Sequence, residues 1–334
     1  HLIPSDDVDW VDEILRAAVV QSYNLSFTKA DKKSNQLFSL GYYDQQGLVK
    51  FSDFKRVSGR FNSEYKLFDD HLRIGENISL SHSWGTSVSN NAALGGTLYE
   101  AYKFQSITPV KNLEDEYAGN VFSDIPNPMG KLYRNKDNQD KKSRLVGNLY
   151  AELHLFDGLM FKTSFGVDYN NLYRRSFSPK YDELNASEKL SSLSNRNAWN
   201  FNWVFTNTLT YNKTFGDHTI NALLGMESLR NRYEYFTASR DGFPSDDPNF
   251  RFLDAGDVGT QKNSGAATEY SMVSYFGKLD YNYHDRYLVA FTLRRDGSSR
   301  LGNNKWGNFP AASVGWRISN EPFFDCLLYT SPSP

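Results

Sequence analysis

Two stretches joined by a minimal turn constrain the fold of this chain more than anything else in it. In the first, Tyr275, Leu279, Tyr281 and Tyr283 share one parity, while Ser274, Lys278, Asp280 and Asn282 share the other. After His284-Asp285 the pattern repeats, with Tyr287, Val289, Phe291 and Leu293 set against Thr292, Arg294 and Asp296. An extended strand sends alternate side chains to opposite faces, so each stretch has one apolar, aromatic face and one charged face. Long strands of this kind suit a membrane β-barrel with a wet lumen.

The same reading continues along the chain. Strands are expected near 21–29, 35–44, 55–65, 72–84, 143–155, 159–173, 199–215, 219–237, 270–283, 287–296 and 309–319. Tight turns fall at Asp31-Lys32, Phe68-Asp69-Asp70, Asp157-Gly158, Gly216-Asp217 and His284-Asp285, and longer connections near 45–54, 85–142, 174–198, 238–269 and 297–308. Short and long connections alternate strictly, as they do between the two ends of an outer-membrane barrel. Within 199–215, Trp199, Phe201, Trp203, Phe205, Leu209 and Tyr211 oppose Asn200, Asn202, Thr206, Thr208 and Thr210. A one-residue slip would turn the polar set into lipid, so the register is strongly specified. Glu76 breaks the apolar parity of Leu72, Ile74, Ile78 and Leu80 and has no explanation at this level. The expected fold class is all-β: a partial transmembrane antiparallel barrel of about eleven strands, with short periplasmic turns and long extracellular loops.

Composition narrows the function classes. No apolar run is long enough for a transmembrane helix, which leaves a β-barrel open because its strands are half polar. Tyr 21, Phe 24 and Trp 6 are abundant, as aromatic girdles at two bilayer interfaces would require. A net charge of −2 gives no reason to expect a nucleic-acid partner. The single cysteine, Cys326, allows no disulfide framework, and His1, His71, His82, His154, His218 and His284 lie too far apart in sequence to show ligand spacing. Asp124, Asp137, Asp140, Asp246 and Asp247 are loop carboxylates of the type that binds calcium, without EF-hand spacing. Neither G-x-S-x-G, a P-loop nor G-x-G-x-x-G occurs, so no enzymatic chemistry, metal site or cofactor is expected.

Several stretches resemble one family. Arg294, Asp296, Gly297, Ser298, Ser299, Arg300 and Gly302, then Trp306, Gly307, Phe309, Pro310, Ser313, Gly315 and Trp316, match R-x-D-G-S-S-R-F-G followed by W-G-x-F-P-S-x-S-x-G-W, with Leu301 in place of the usual Phe. Asn24-Leu-Ser-Phe27, Ser39-Leu-Gly-Tyr-Tyr-Asp-Gln-Gln-Gly47 and Phe54-Lys-Arg56 with Asn62 match further stretches. The wording is similar to the SusC-like (SusC/RagA) TonB-dependent outer-membrane transporters of Bacteroidetes-type bacteria, over nearly all of residues 9–325. The resemblance implies that 1–325 is the N-terminal half of a roughly 22-stranded barrel, with plug and TonB box upstream. It also implies import of an oligosaccharide or oligopeptide, a SusD-like surface lipoprotein as lid, and the TonB complex as energy source. Residues 326–334, Cys-Leu-Leu-Tyr-Thr-Ser-Pro-Ser-Pro, read as a translated sequencing adapter. A passive porin and a soluble glycan-binding sheet protein are the alternatives; a missing plug would mark the first and detergent-free solubility the second.

Substrate contacts are harder to read. The connection 85–142 carries Tyr99, Tyr102, Tyr117, Phe122 and Tyr133, which either form stacking platforms for a sugar or peptide or pack the loop's own interior. Arg294, Asp296, Gly297, Ser298, Ser299, Arg300, Trp306, Phe309, Pro310 and Trp316 are expected to brace a strand end and its turn rather than to touch cargo.

Overall fold

The computed structural model describes residues 7–89 and 95–323; the tail from Cys326 lies outside them. After a short helix α1 (Trp10–Ile14), the strands are β1 (Val20–Ala30), β2 (Ser34–Gln46), β3 (Asp53–Leu67) and β4 (Leu72–Gly85). Helices α2 (Thr97–Lys103) and α3 (Pro128–Asn135) interrupt the next connection. There follow β5 (Gln139–Phe156), β6 (Leu159–Ser178), a small hairpin of β7 (Tyr181–Glu183) and β8 (Ala186–Glu188), β9 (Ser192–Phe215), β10 (His218–Asp241), β11 (Lys262–Tyr283), β12 (Tyr287–Ser298) and β13 (Trp306–Trp316). All except β7 and β8 form one 11-stranded antiparallel sheet in simple sequence order.

Each of the eleven expected strands is present, and the short and long connections fall where the sequence puts them. Four strands run well past their expected ends: β6 to Ser178, β9 from Ser192, β10 to Asp241 and β11 from Lys262. Beyond the apolar segment both faces are polar, as in Lys262-Asn-Ser-Gly-Ala-Ala-Thr-Glu269, and the alternation that reveals a strand disappears. The last strand is shifted, beginning at Trp306 and giving way at Ile318–Asn320 to a 3-10 turn.

Among the described residues, no apolar core lies behind the sheet. The buried apolar residues form two small clusters, both built from connections and strand ends at the long-loop end. Along the strands the apolar face stands open instead, with Phe27 60%, Leu224 64% and Phe291 48% exposed. So large an uncovered apolar surface demands a non-aqueous neighbour.

Chemistry limits the height of that surface. On β10 the apolar parity reads Ile220, Ala222, Leu224, Met226, then turns charged at Arg230, Arg232 and Glu234. Arg230 pairs with Glu269 at 2.7 Å and Arg232 with Glu234 at 2.8 Å, across and along the same face. Nine residues of apolar character span about 30 Å along a strand, or about 21 Å once tilted, close to the apolar band of outer-membrane barrels. Aromatic pairs edge it on the loop side, with Tyr275 and Trp306 stacked at 6.2 Å and Phe165 and Trp203 at 6.2 Å. On the turn side Tyr283 stacks on Tyr287 at 6.3 Å beside His218. Glu76 accepts a hydrogen bond from Ser63 Oγ at 2.5 Å on the adjacent strand, which supplies one partner for the carboxylate in the apolar face.

Two glycines make room for aromatic rings on the polar face. A Cβ on Gly75 would lie 2.4 Å from the Tyr150 ring, and one on Gly225 would lie 2.1 Å from Phe276. The tight turns hold themselves with carboxylates. Asp31 accepts from the amides of Lys33 and Ser34, which holds its carboxyl below the usual range. Asp70 grips the Arg73 guanidinium with both oxygens at 2.6 and 2.7 Å, and this drops its carboxyl to about 2. A depressed carboxylate contributes stability that is present above its unfolded value and lost as pH falls through its folded one. Acidifying from about pH 4 towards 2 should therefore lower the protection of amides 68–72, measured against their intrinsic exchange at each pH, in the intact protein. In Asp70→Asn that protection should already be low at neutral pH and change little over the window.

Candidate functional site

The long connections are folded together at one end of the sheet. Trp10 and Ile14 of α1 pack with Val49, Ala101, Phe104, Met129 and Leu132, so the segment ahead of β1 fastens the 86–138 connection to the 47–52 one. Trp10 meets Phe104 edge-on at 4.6 Å and donates its indole N–H to the Gln105 carbonyl. Phe177, Leu193 and Phe243 form the second cluster, joining the ends of β6 and β9 to the 242–261 connection.

A polar knot sits between these clusters. Asn127 caps α3, its Oδ1 accepting from the amides of Met129 and Gly130, with Pro128 at the first helical position where no donor is needed. Its Nδ2 donates to the carbonyls of Val110 and Ala118. Its own amide donates to Glu183 on β7 at 2.6 Å, and Glu183 also takes Arg134 of α3 at 2.5 Å. Glu183 is only 3% exposed. Burial pushes its carboxyl up, and Arg134 and the Asn127 amide pull it back. The Arg134 guanidinium lies 3.8 Å from the centroid of the Tyr181 ring.

Beside the knot lies a cleft of 580 Å³ where the 86–138, 179–191 and 242–261 connections meet. Tyr117, Tyr133 and Tyr181 supply its rings; Arg134, Lys136, Lys180 and Arg251 supply cations, and Glu116, Asp137, Asp182, Glu183 and Asp246 carboxylates. Tyr117 and Tyr133 lie 5.8 Å apart, and Phe51 braces Tyr133 edge-on at 5.9 Å. Arg251 is held by Asp137 and the Asp246 carbonyl, with its guanidinium 4.4 Å from the Phe177 ring. The cleft therefore offers π faces beside fixed donors and acceptors.

Of the five aromatic candidates, only Tyr117 and Tyr133 line the cleft. Tyr99 lies under Lys103 on α2, while Tyr102 and Phe122 are 77% and 70% exposed away from it. Nothing in the loop sequences marks Tyr181, Arg134 or Arg251; the signal is their convergence in space. Among the described residues, no group of three or more His, Cys, Asp or Glu side chains gathers as metal ligands do.

The 294–316 motif makes its contacts within the chain. Arg294 binds Asp296 at 2.8 Å and Ser274 Oγ at 2.9 Å and reaches Glu227. Gly297 leaves room for the Trp306 ring, which a Cβ there would meet at 2.9 Å. Ser298 donates to Lys305, Ser299 exchanges two hydrogen bonds with Ser271, and Arg300 covers Tyr270. Phe309 lies on the polar face of β13, and Pro310 sits opposite Leu293 on the other. Trp316 donates to Glu321, which also takes the Tyr287 hydroxyl.

No family profile matches the chain. Among curated proteins it is 30% identical over 325 residues to TonB-dependent receptor P3 of Formosa agariphila, covering 95% of this chain and 32% of that one. It is 28% identical over 355 residues to TonB-dependent receptor SusC of Bacteroides thetaiotaomicron, covering 96% and 34%. The chain is homologous to the SusC-like TonB-dependent receptors. It spans about a third of the length of the curated receptors it matches. The fold agrees: the RagAB peptide transporter superposes with a TM-score of 0.84 at 23% identity, over 97% of this chain and 37% of that one. The ferripyoverdine receptor of the Pseudomonas aeruginosa outer membrane gives 0.52 at 11% identity, over 89% and 37%. The sheet thus has the fold of a section of a TonB-dependent receptor barrel, and it lies in the outer membrane with its apolar face to lipid. In such barrels the short turns are periplasmic and the long connections extracellular, which puts the cleft outside.

Proposed function

We propose that this chain forms part of the wall and outer mouth of a transporter that imports a bulky nutrient, an oligosaccharide or oligopeptide, by TonB-dependent uptake. A SusD-like lipoprotein closes the mouth, and the TonB complex acts through a plug held by another part of the protein. The observation that carries this reading is the homology to SusC-type receptors along nearly the whole chain. In this reading residues 1–325 belong to the N-terminal half of the barrel, with its eleven long strands as wall, the 294–316 motif is a strand brace, and the protein carries out transport rather than catalysis. The three-loop cleft is where cargo first meets the protein, its tyrosine rings stacking on sugar faces or peptide side chains.

Uptake of labelled oligosaccharides and oligopeptides by cells carrying the intact protein tests this. Uptake of one class should vanish when TonB is deleted; uptake that persists without TonB would instead mark a passive pore. Tyr181→Ala should weaken surface binding of that cargo about tenfold at equal surface abundance, for a lost stacking contact of about 1.4 kcal/mol. Tyr102→Ala, outside the cleft, should change nothing. The reverse result would remove the cleft from the pathway.

A further inference from the structure

On the lipid-facing side, β10, β11 and β12 enclose a groove of 730 Å³ that no contact within the chain fills. Gly277 forms its floor, since the absence of a side chain there lowers the surface between Leu224, Leu279, Phe291 and Leu293. Those four side chains are 64%, 46%, 48% and 44% exposed. The groove runs along the strands to Arg295, four residues above Phe291, or about 14 Å.

Arg295 is unlike the charges around it. Its neighbour Arg294 faces the lumen and is bound by Asp296, and Arg230 on the lipid side is bound by Glu269. Arg295 shares the parity of Leu293 and Phe291, faces lipid, and has no carboxylate partner among the described residues. Its guanidinium is 5.1 Å from the Trp306 ring, which itself stacks on Tyr275. A cation parked on an aromatic face at the upper edge of the apolar band, with its donors still free, is arranged for an anion of the outer-leaflet headgroup layer. Phosphate fits the guanidinium fork, and an acyl chain fits the groove beneath.

We propose that this groove is a binding site for one molecule of lipid A: an acyl chain lies over Gly277 and a phosphate is held by Arg295. The site depends on the chain's place in the outer membrane and not on its cargo. Native mass spectrometry of the intact, detergent-purified protein tests it, with bisphosphorylated lipid A, the same lipid stripped of phosphate, and phosphatidylglycerol as probes. Bisphosphorylated lipid A should be retained about fivefold or more over the lipid stripped of phosphate, as expected for one interfacial cation, and measurably over phosphatidylglycerol, which brings one phosphate and fewer acyl chains to the fork and groove. Arg295→Gln should abolish that preference, and Gly277→Leu should reduce retention of all three probes by filling the groove. Arg175→Gln, on another strand, should leave the preference intact. Equal retention of the stripped lipid, an undiminished preference in Arg295→Gln, or phosphatidylglycerol bound as well as lipid A would overturn the proposal. Arg295→Gln lies at the surface and removes no packing partner in the groove, so its result stands even if Gly277→Leu assembles poorly.

Discussion

Replacing Leu209 by arginine should destabilise the inserted protein by about 2–4 kcal/mol, whereas the same change one residue on, at Thr210, should cost less than about 1 kcal/mol. Leu209 pairs with Leu224 on β10 and Phe161 on β6, in the middle of the apolar band. Thr210 points to the opposite face, between Leu223 and Met160. An arginine at 209 has neither water nor a carboxylate within its row, while one at 210 enters an aqueous lumen. Denaturant titration of the intact protein in lipid vesicles measures both. Equal costs at the two positions would mean that the assigned faces are wrong, and with them the membrane reading of the sheet.

Truncating Glu183 to alanine should have the largest effect at the extracellular end. It leaves the Arg134 guanidinium, 14% exposed, without its carboxylate and the Asn127 amide without an acceptor. Breaking a buried pair from one side costs about 3–5 kcal/mol. The loss should be local, because the knot ties loops to one another and not strands to strands. Amide exchange across 110–135 should rise by orders of magnitude while β9 and β10 stay protected, and cargo binding should fall with it. Unchanged exchange in that segment would mean the loops are held by their two apolar clusters alone.

These two outcomes also separate what the sequence reveals from what it conceals. The wall is legible because lipid and water impose opposite demands on alternate residues, and Leu209 beside Thr210 is that rule in a single dipeptide. Legibility ends where the demand ends: above Arg230 and Glu269 both faces meet water, so the upper strands read as loop. The cleft is concealed for a related reason. Arg134, Tyr181 and Arg251 come from three connections whose order in the chain says nothing about their meeting, and the clusters beneath them have no period. Composition points to Tyr117 and Tyr133 no more strongly than to Tyr99, Tyr102 and Phe122. Glu76 is explained only in three dimensions, since its partner Ser63 is a neighbour only across the ladder.

The length of β9 and β10 has a mechanical consequence. Each has 24 residues, of which the apolar band uses fewer than half. The remainder continues as a hydrogen-bonded ladder beyond the headgroups, so the cleft stands on a raised collar instead of hanging from tethers. A collar of paired strands resists bending far better than single loops of equal reach. In the transporter proposed above, motion that admits or traps cargo would then come from what sits above the rim or inside the bore, with the rim itself as a fixed seat against which those parts close.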